Sequence, residues 1–423
     1  MKIISKNTFV IGFIVLNCFL LTGFSSCEKD TNNIPGGEPK PIVLSTEQQA
    51  LIQNGRSFSF DLFREVAEDA LEGDNVFISP LSVSLALAMT YNGAEASTQQ
   101  AMHEAMRLPD LPVNKINESW QKLIKDLASV DPKVIMTIAN SIWYREGFQV
   151  QTPFIKTNKD FYNAEVRALD FDRADAADII NKWVSDNTNK LIEKIIDNIP
   201  SETVMYLINA IYFKGQWKYE FDPNETAPAP FYLHQGGNKQ VPMMHQSELF
   251  GYYSNDMFSA AELPYGRGNY SMIVVLPHQH ASVFDVQQSL DDALWHELSD
   301  SFSDQRELIV TLPKFSFAFE QKLKQVLTRM GMGIAFDPNM ANFAGINPQA
   351  ELFISEVIHK AFVEVNEEGT EAAAVTAVEV GVTSFDPSTP VLFRVDRPFL
   401  FFIKEKYTNA VIFAGRVMDP SDS

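Results

Sequence analysis

The chain has 423 residues, 45% of them apolar and 12% aromatic, so it can build a large buried core. Its formal net charge of −20 excludes nucleic acid and anionic polysaccharide as favoured partners, because neither is drawn to an acidic surface. No zinc-type Cys/His spacing, P-loop, HExxH or GxSxG motif is present, so the sequence predicts no metal, no cofactor and no enzyme.

The N-terminus carries Lys2 and Lys6, an apolar run from Phe9 to Leu21, and small residues up to Cys27. It reads as a targeting segment, residues 1–26, that is removed and not as a membrane span. Leu21-Thr22-Gly23-Phe24-Ser25-Ser26-Cys27 resembles a bacterial lipoprotein signal, in which cleavage before the cysteine exposes it for acylation. That resemblance implies a lipid on Cys27 and a place in the bacterial cell envelope, at the outer membrane; simple secretion, with cleavage near Ser26, is the alternative. Cys18 leaves with the signal, so mature Cys27 has no disulfide partner. Residues 27–45 turn polar with Gly and Pro and suit a solvated tether.

The folded domain, residues 46–423, opens with a helix expected in Thr46–Leu71, where Phe58, Leu62, Phe63, Val66 and Ala70 fall near helical spacing. Asn75–Ala94 reads as a short apolar strand, a Ser79-Pro80 turn capping a nearly apolar helix, and a closing Gly93. Helical patterns follow at Ser97–Met106 and Asn114–Ala128. The latter mixes Lys115, Lys122 and Lys125 with Glu118 and Asp126, which leaves no basic face for a glycosaminoglycan. Val134–Tyr144 is a strand candidate, Thr157–Ala164 and Ala176–Ile196 are helices, and the long aromatic run Thr203–Phe221 is a buried strand. Phe231 to Pro277 reads as a strand-rich meander, Glu307–Phe319 as a strand pair about Pro313, and Gln321–Met330 as a helix stopped at Gly331. Ser355–Ala372 is a strand running into a loop, and Phe393–Pro420 gives two apolar strands around a Lys406–Asn409 turn. The fold class is mixed α/β in a single domain, with a large mostly antiparallel sheet and a second sheet packed by helices. The sequons at Asn117 and Asn224 read as accidental.

Asn366 to Ser384, NEEGTEAAAVTAVEVGVTS, organises the rest. Alternation places Thr370, Ala372, Ala374, Thr376, Val378, Val380 and Val382 on one face, which could be buried without clash or unpaired charge. Its Ala and Glu content does not suit a strand at rest, and a conditional strand resolves the conflict. No proline falls between Asn366 and Phe385, so nothing there forbids a central ladder position.

These residues resemble the hinge and reactive-centre loop of the serpins, the serine protease inhibitors whose exposed loop inserts into their own main sheet. The resemblance rests on four stretches in family order between Asn75 and Pro420. They are the Ser79/Ser82 segment, the strand with Asn209 and Trp217, the hinge, and a C-terminal signature over Phe393–Ile403. It implies a serpin fold with about nine helices, further sheets and an exposed loop over about residues 367–390. It also implies suicide inhibition of a target serine protease by a monomeric chain, with cysteine proteases as a second target. A non-inhibitory serpin, a binding scaffold whose loop is cut without trapping, is the rival; Gly369 to Ala374 speak against it, while Val375 is bulkier than usual.

Carried onto this sequence, the hinge is Glu367, Gly369, Thr370, Glu371, Ala372, Ala373 and Ala374. A sheet-opening cluster comprises Ser79, Ser82, Asn209, Trp217, Lys314 and His359, with His359 joining the serine and asparagine positions and Lys314 pairing with Glu367. Counted from Gly369 at the family spacing, the scissile bond is Thr383-Ser384, with Val382 just upstream, which implies an elastase-like target. Counting back from the C-terminal signature moves the cut downstream and makes Phe385, with a chymotrypsin-like target, the alternative.

Overall fold

The computed structural model describes residues 38–370 and 390–421, and these hold nine α-helices and fifteen β-strands. The first half runs α1 (Thr46–Asp69), β1 (Val76–Ile78), α2 (Pro80–Tyr91), α3 (Ala96–Ala105), α4 (Val113–Ser129), β2 (Val134–Arg145), α5 (Thr152–Tyr162), β3 (Glu165–Leu169), α6 (Ala176–Asn187) and β4 (Met205–Gln216). A meander of β5 (Ala227–Tyr232), β6 (Asn238–Ser254), β7 (Phe258–Tyr265) and β8 (Tyr270–Pro277) leads to α7 (Val283–Ser289) and α8 (Asp292–Ser301). Then come β9 (Gln305–Pro313), β10 (Phe315–Lys322), α9 (Lys324–Leu327), β11 (Ile358–Val365), β12 (Gly369–Thr370), β13 (Val391–Arg394), β14 (Phe399–Glu405) and β15 (Val411–Val417).

The strands form two sheets among the described residues. A nine-stranded one runs β1-β15-β14-β8-β7-β6-β9-β13 with β5 on β6, and a six-stranded one runs β10-β11-β12-β4-β2-β3. Only β13 on β9 and β2 on β3 are parallel to the strand they pair with. Helix α2 packs against β4 of one sheet and β15 of the other and is buried on nearly every face, as its apolar composition requires. Ser79 caps it, accepting from the Ser82 amide, with Pro80 in the first turn. Helix α1 starts from a capping box in which Ser45 and Gln48 bond reciprocally. Its Phe63 meets Phe402 of β14 edge-on, while Phe77 of β1 meets Phe317 of β10 at 6.4 Å and Phe213 of β4 meets Phe413 of β15 at 6.1 Å, so aromatic rings fill the space between the sheets.

Five expectations change. The helix expected over Ala176–Ile196 ends at Asn187, because Asn189 and Lys190 adopt positive φ. The helix expected from Thr157 begins at Thr152, with Pro153 in its first turn, and is followed by the unforeseen β3. Strands β9 and β10 are not a pair; at Pro313 the chain crosses from the nine-stranded sheet to the six-stranded one. The helix expected over Gln321–Met330 shrinks to α9 and a wider turn in which Gly331 has φ 102°. The end of the stretch read as a tether is held on the domain: the buried Asn269 side chain bonds both the N–H (2.9 Å) and the C=O (2.7 Å) of Lys40, and Ile42 is buried.

Candidate functional site

The hinge sits where β11 turns back on itself. Asn366 makes the turn, its Oδ1 accepting the amides of Glu368 and Gly369, and the chain then runs as β12 between β11 and β4. Thr370 pairs with Val365 on one side and Gly215 on the other, both antiparallel, and Gly369 pairs with Gln216. A Cβ on Gly369 would lie 2.1 Å from the Gly215 carbonyl oxygen, so only glycine permits this approach. Thr370 is buried and its hydroxyl meets that of Tyr265 at 2.6 Å, which puts the inward face of the alternation on the side read from the sequence.

Strands β4 and β11 both run antiparallel to β12, hence parallel to each other, and no rung joins them directly among the described residues. At β12 they stand two strand spacings apart, roughly 10 Å. Below it, β4 from Lys214 to Met205 pairs with β2 on its other edge, and β11 from Glu364 to Ile358 pairs with β10.

Trp217 and Glu367 fasten the turn. Trp217 donates its indole N–H to the Asn366 carbonyl at 2.9 Å and its amide to the Glu368 carbonyl at 2.8 Å, while its ring stacks on Tyr265 at 4.4 Å. Glu367 bonds Lys314 Nζ at 2.8 Å and the Thr226 hydroxyl at 2.8 Å. Burial acts to raise the Glu367 carboxyl, but Lys314, Thr226 and its own backbone N–H outweigh it and hold the group below the usual carboxylate range. The pair inferred between Glu367 and Lys314 is thus present in the structure.

Deeper in the sheet, the buried His359 ring accepts the Ser79 amide through Nε2 at 3.1 Å, and the Ser79 hydroxyl donates to the Ile412 carbonyl at 2.8 Å. Burial pushes His359 down to about 4, so the ring is neutral. Asn209 does not join this cluster as expected. Its amide donates across to Asn140 on β2 at 2.7 Å, and its buried Oδ1 has no partner among the described residues. Ser79, Ser82 and His359 therefore form one group, Trp217, Lys314 and Glu367 a second, and Asn209 stands alone on β4. The roles of Tyr265 and Thr226 carried no sequence signal, whereas Gly215, a glycine inside a strand, is a kind of position where close approach is expected, and a Cβ there would meet the Tyr265 ring at 2.9 Å.

Glu371, Ala372, Ala373, Ala374, the bond Thr383-Ser384 with its neighbours Val382 and Phe385, and Cys27 lie outside the described residues. Among the described residues no helix is long and apolar enough to cross a membrane, and no cluster of three metal-ligating side chains occurs. Asn117 is buried, donating to Asn92 and accepting from Tyr162, so its sequon offers no free amide.

The family model for serpins, serine protease inhibitors, matches residues 53–420. A leukocyte elastase inhibitor of Xenopus tropicalis is 36% identical over 373 residues, covering 86% of this chain and 97% of that protein. The native-state crystal structure of the thermophilic serpin tengpin superposes with a TM-score of 0.80 at 31% identity, covering 92% of this chain and 99% of that one. A thyroxine-binding globulin complex with thyroxine matches with a TM-score of 0.79 at 28% identity, covering 88% and 99%.

Proposed function

The chain belongs to the serpin family, and on that premise we propose that it inhibits serine endopeptidases, elastase-like ones first, as a suicide substrate. The protease serine adds to the Thr383 carbonyl and expels the amine of Ser384, which leaves an ester on Thr383. The freed loop then enters between β4 and β11 and carries the enzyme along. The observation behind this reading is the first rung: Gly369 and Thr370 already lie between the two strands, with Thr370 facing inward.

Continuing that register sets Ala372 against Phe213 and Val363, Ala374 against Ile211 and Ala361, and Thr376 against Asn209 and His359. Methyl-sized groups meet apolar ones, Phe213, Val363, Ile211 and Ala361, and the Thr376 hydroxyl meets the unpartnered Asn209 Oδ1. A dozen ladder bonds at a net ~1 kcal/mol each give on the order of 10 kcal/mol. That rivals the whole stability of a typical domain, so the uncut form is metastable.

The same register brings β4 to its end at Met205 opposite Val380, three residues before Thr383. At about 3.3 Å per residue an ester on Thr383 hangs ~10 Å past the strand, and a cut after Phe385 would add ~7 Å of slack. Slack weakens the strain on the trapped enzyme, which favours Thr383-Ser384 over the downstream bond. Mixing the mature domain with pancreatic elastase near equimolar ratio should give a complex that survives a denaturing gel, with a released peptide whose mass begins at Ser384. Clean cleavage without a complex by elastase, chymotrypsin, trypsin and papain would overturn inhibition and leave the scaffold reading.

We place the domain at the bacterial cell envelope, held by lipid on Cys27 and acting as a monomer against proteases in its surroundings. Cys27→Ser should move the protein from the membrane to the soluble fraction; unchanged fractionation would refute the anchor.

A further inference from the structure

Two of the chain's seven histidines, His278 and His280, stand in the turn that leads from β8 to α7. Three successive carbonyls of the β6–β7 turn hold them. His278 bonds the Asn255 carbonyl through Nε2 at 2.9 Å, and His280 bonds the Asp256 carbonyl through Nε2 at 2.7 Å. The His278 amide donates to the Met257 carbonyl at 2.8 Å. The β6–β7 turn is itself fixed, because the Asn255 side chain accepts the amides of Met257 and Phe258.

A carbonyl oxygen only accepts, so each Nε2 must carry the proton, and the neutral ring then keeps its lone pair on Nδ1. Neither Nδ1 has a hydrogen-bond partner among the described residues. A far ring N–H set on a backbone carbonyl is how metal-ligating histidines are fixed in tautomer and orientation. The spacing of the rings suits a shared ion. A metal about 2.1 Å from a ring nitrogen lies roughly 3.2 Å from that ring's centre, so two rings on one metal have centres about 5.2 Å apart at a tetrahedral angle and at most about 6.4 Å apart. Here the ring centres are 5.8 Å apart, with the planes inclined by 26°. The neighbouring charges leave room for a cation. Arg397 bonds the Pro277 carbonyl at 2.7 Å but is paired with Asp396 at 3.0 Å, and Asp285 is engaged in the capping box of α7. Asp256, exposed in the turn that holds both rings, has no ion-pair partner among the described residues.

We propose that His278 and His280 chelate a divalent cation of the zinc, nickel and copper class through their Nδ1 atoms, with water completing the coordination, and that the ion clips the β6–β7 turn to the β8–α7 turn. With two protein ligands the site is open and exchangeable, unlike the closed four-ligand sites whose spacing the sequence lacks. It involves neither the hinge nor β4 and β11, so it does not depend on protease trapping. The test is isothermal titration of the untagged full-length protein with Zn²⁺ in a non-coordinating buffer, where one-to-one binding is expected. Two variants probe the pair: His280→Gln, at an exposed position, and His278→Gln, whose amide still offers the Asn255 carbonyl a donor. Each should weaken binding at least tenfold, with the metal-free thermal unfolding profile unchanged. His234→Gln, which removes the histidine set 2.9 Å from Glu72, should leave the affinity as it is. Absence of one-to-one binding, an affinity that either variant of the pair leaves unchanged, or an equal loss in His234→Gln would overturn the proposal.

Discussion

Acid should destabilise this protein through His359 well before its carboxylates are protonated. The ring is buried, accepts the Ser79 amide through Nε2 and titrates at about 4, against 6.5 for a free imidazole. Between those values the unfolded chain binds the proton and the folded one does not, so stability rises with pH across that window. The contribution is complete above about pH 6.5 and is lost as pH falls toward 4. The full shift amounts to ~3 kcal/mol, of which about 2–3 kcal/mol is gone by pH 4.5. Under the proposed trapping mechanism the uncut chain is metastable and its resistance to unfolding is a rate, so the readout is the rate of urea unfolding at pH 7.5, 6 and 4.5. If the difference falls on the unfolding barrier, it accelerates unfolding by up to about a hundredfold. The control is His359→Gln, whose amide oxygen can still accept from Ser79 but cannot titrate. The wild type should speed up far more than the variant between pH 7.5 and 4.5. Parallel pH profiles would refute the assignment of this dependence to His359.

Three further outcomes follow from the hinge. Thr370→Arg puts an unpaired charge on the buried face beside Tyr265 and should turn inhibitor into substrate, read as loss of the gel-stable complex with loop cleavage retained; undiminished complex would refute it. Glu367→Lys sets two ammonium groups together in a partly buried site and should cost about 2 kcal/mol, between the values for exposed and buried pairs, with lower heat resistance and oligomers on native gels. Because the Glu367 carboxyl is held below its usual range, the wild-type pair is fully present above about pH 4.5 and is lost only as pH falls further, a window below that of His359. Gly369→Val drives a side chain into the Gly215 carbonyl, so the first rung cannot form, and more inhibitor should be consumed per protease trapped.

Local signals in this sequence were legible where the physics is local. The Ser79-Pro80 cap, the start of α1 and the inward face of Thr370 all follow from hydrogen-bond chemistry or a period of two, and each stands in the structure. The overrun of α6 shows the opposite case. Ile192, Ile195 and Ile196 lie near helical spacing, yet they pack into a small satellite core as an irregular segment. The Asn181 side chain satisfies the amides of Ile195 and Ile196 and the Ile196 carbonyl in place of a helix. Helical periodicity does not register a side chain that caps residues 14 and 15 positions further on. The same holds for β9 and β10: Pro313 marks a break, but which sheet each strand joins depends on edges contributed by β6 and β11. Asn209 was placed in the right strand and given the wrong partner, because Asn140 arrives from β2, far earlier in the chain.

The hydrogen bonds around the hinge explain how, under the proposed mechanism, a chain can be both fastened and ready to insert. Trp217, Phe221, Thr226 and Lys314 all bind the turn Asn366–Glu368, and none of these bonds has to break for residues beyond Thr370 to extend the ladder. They fix the point from which insertion starts, and the resistance must come from elsewhere. The direction of the strands supplies a drive: β4 and β11 are parallel to each other with no rung joining them directly among the described residues, and a strand between them makes two antiparallel ladders. Asn209 adds a polar reason, since its buried acceptor gains a donor only when a hydroxyl such as that of Thr376 reaches its register position. On this account the uncut loop is restrained by its own covalent continuity, from β12 at one end to β13 at the other, and cutting it removes the restraint without disturbing the turn.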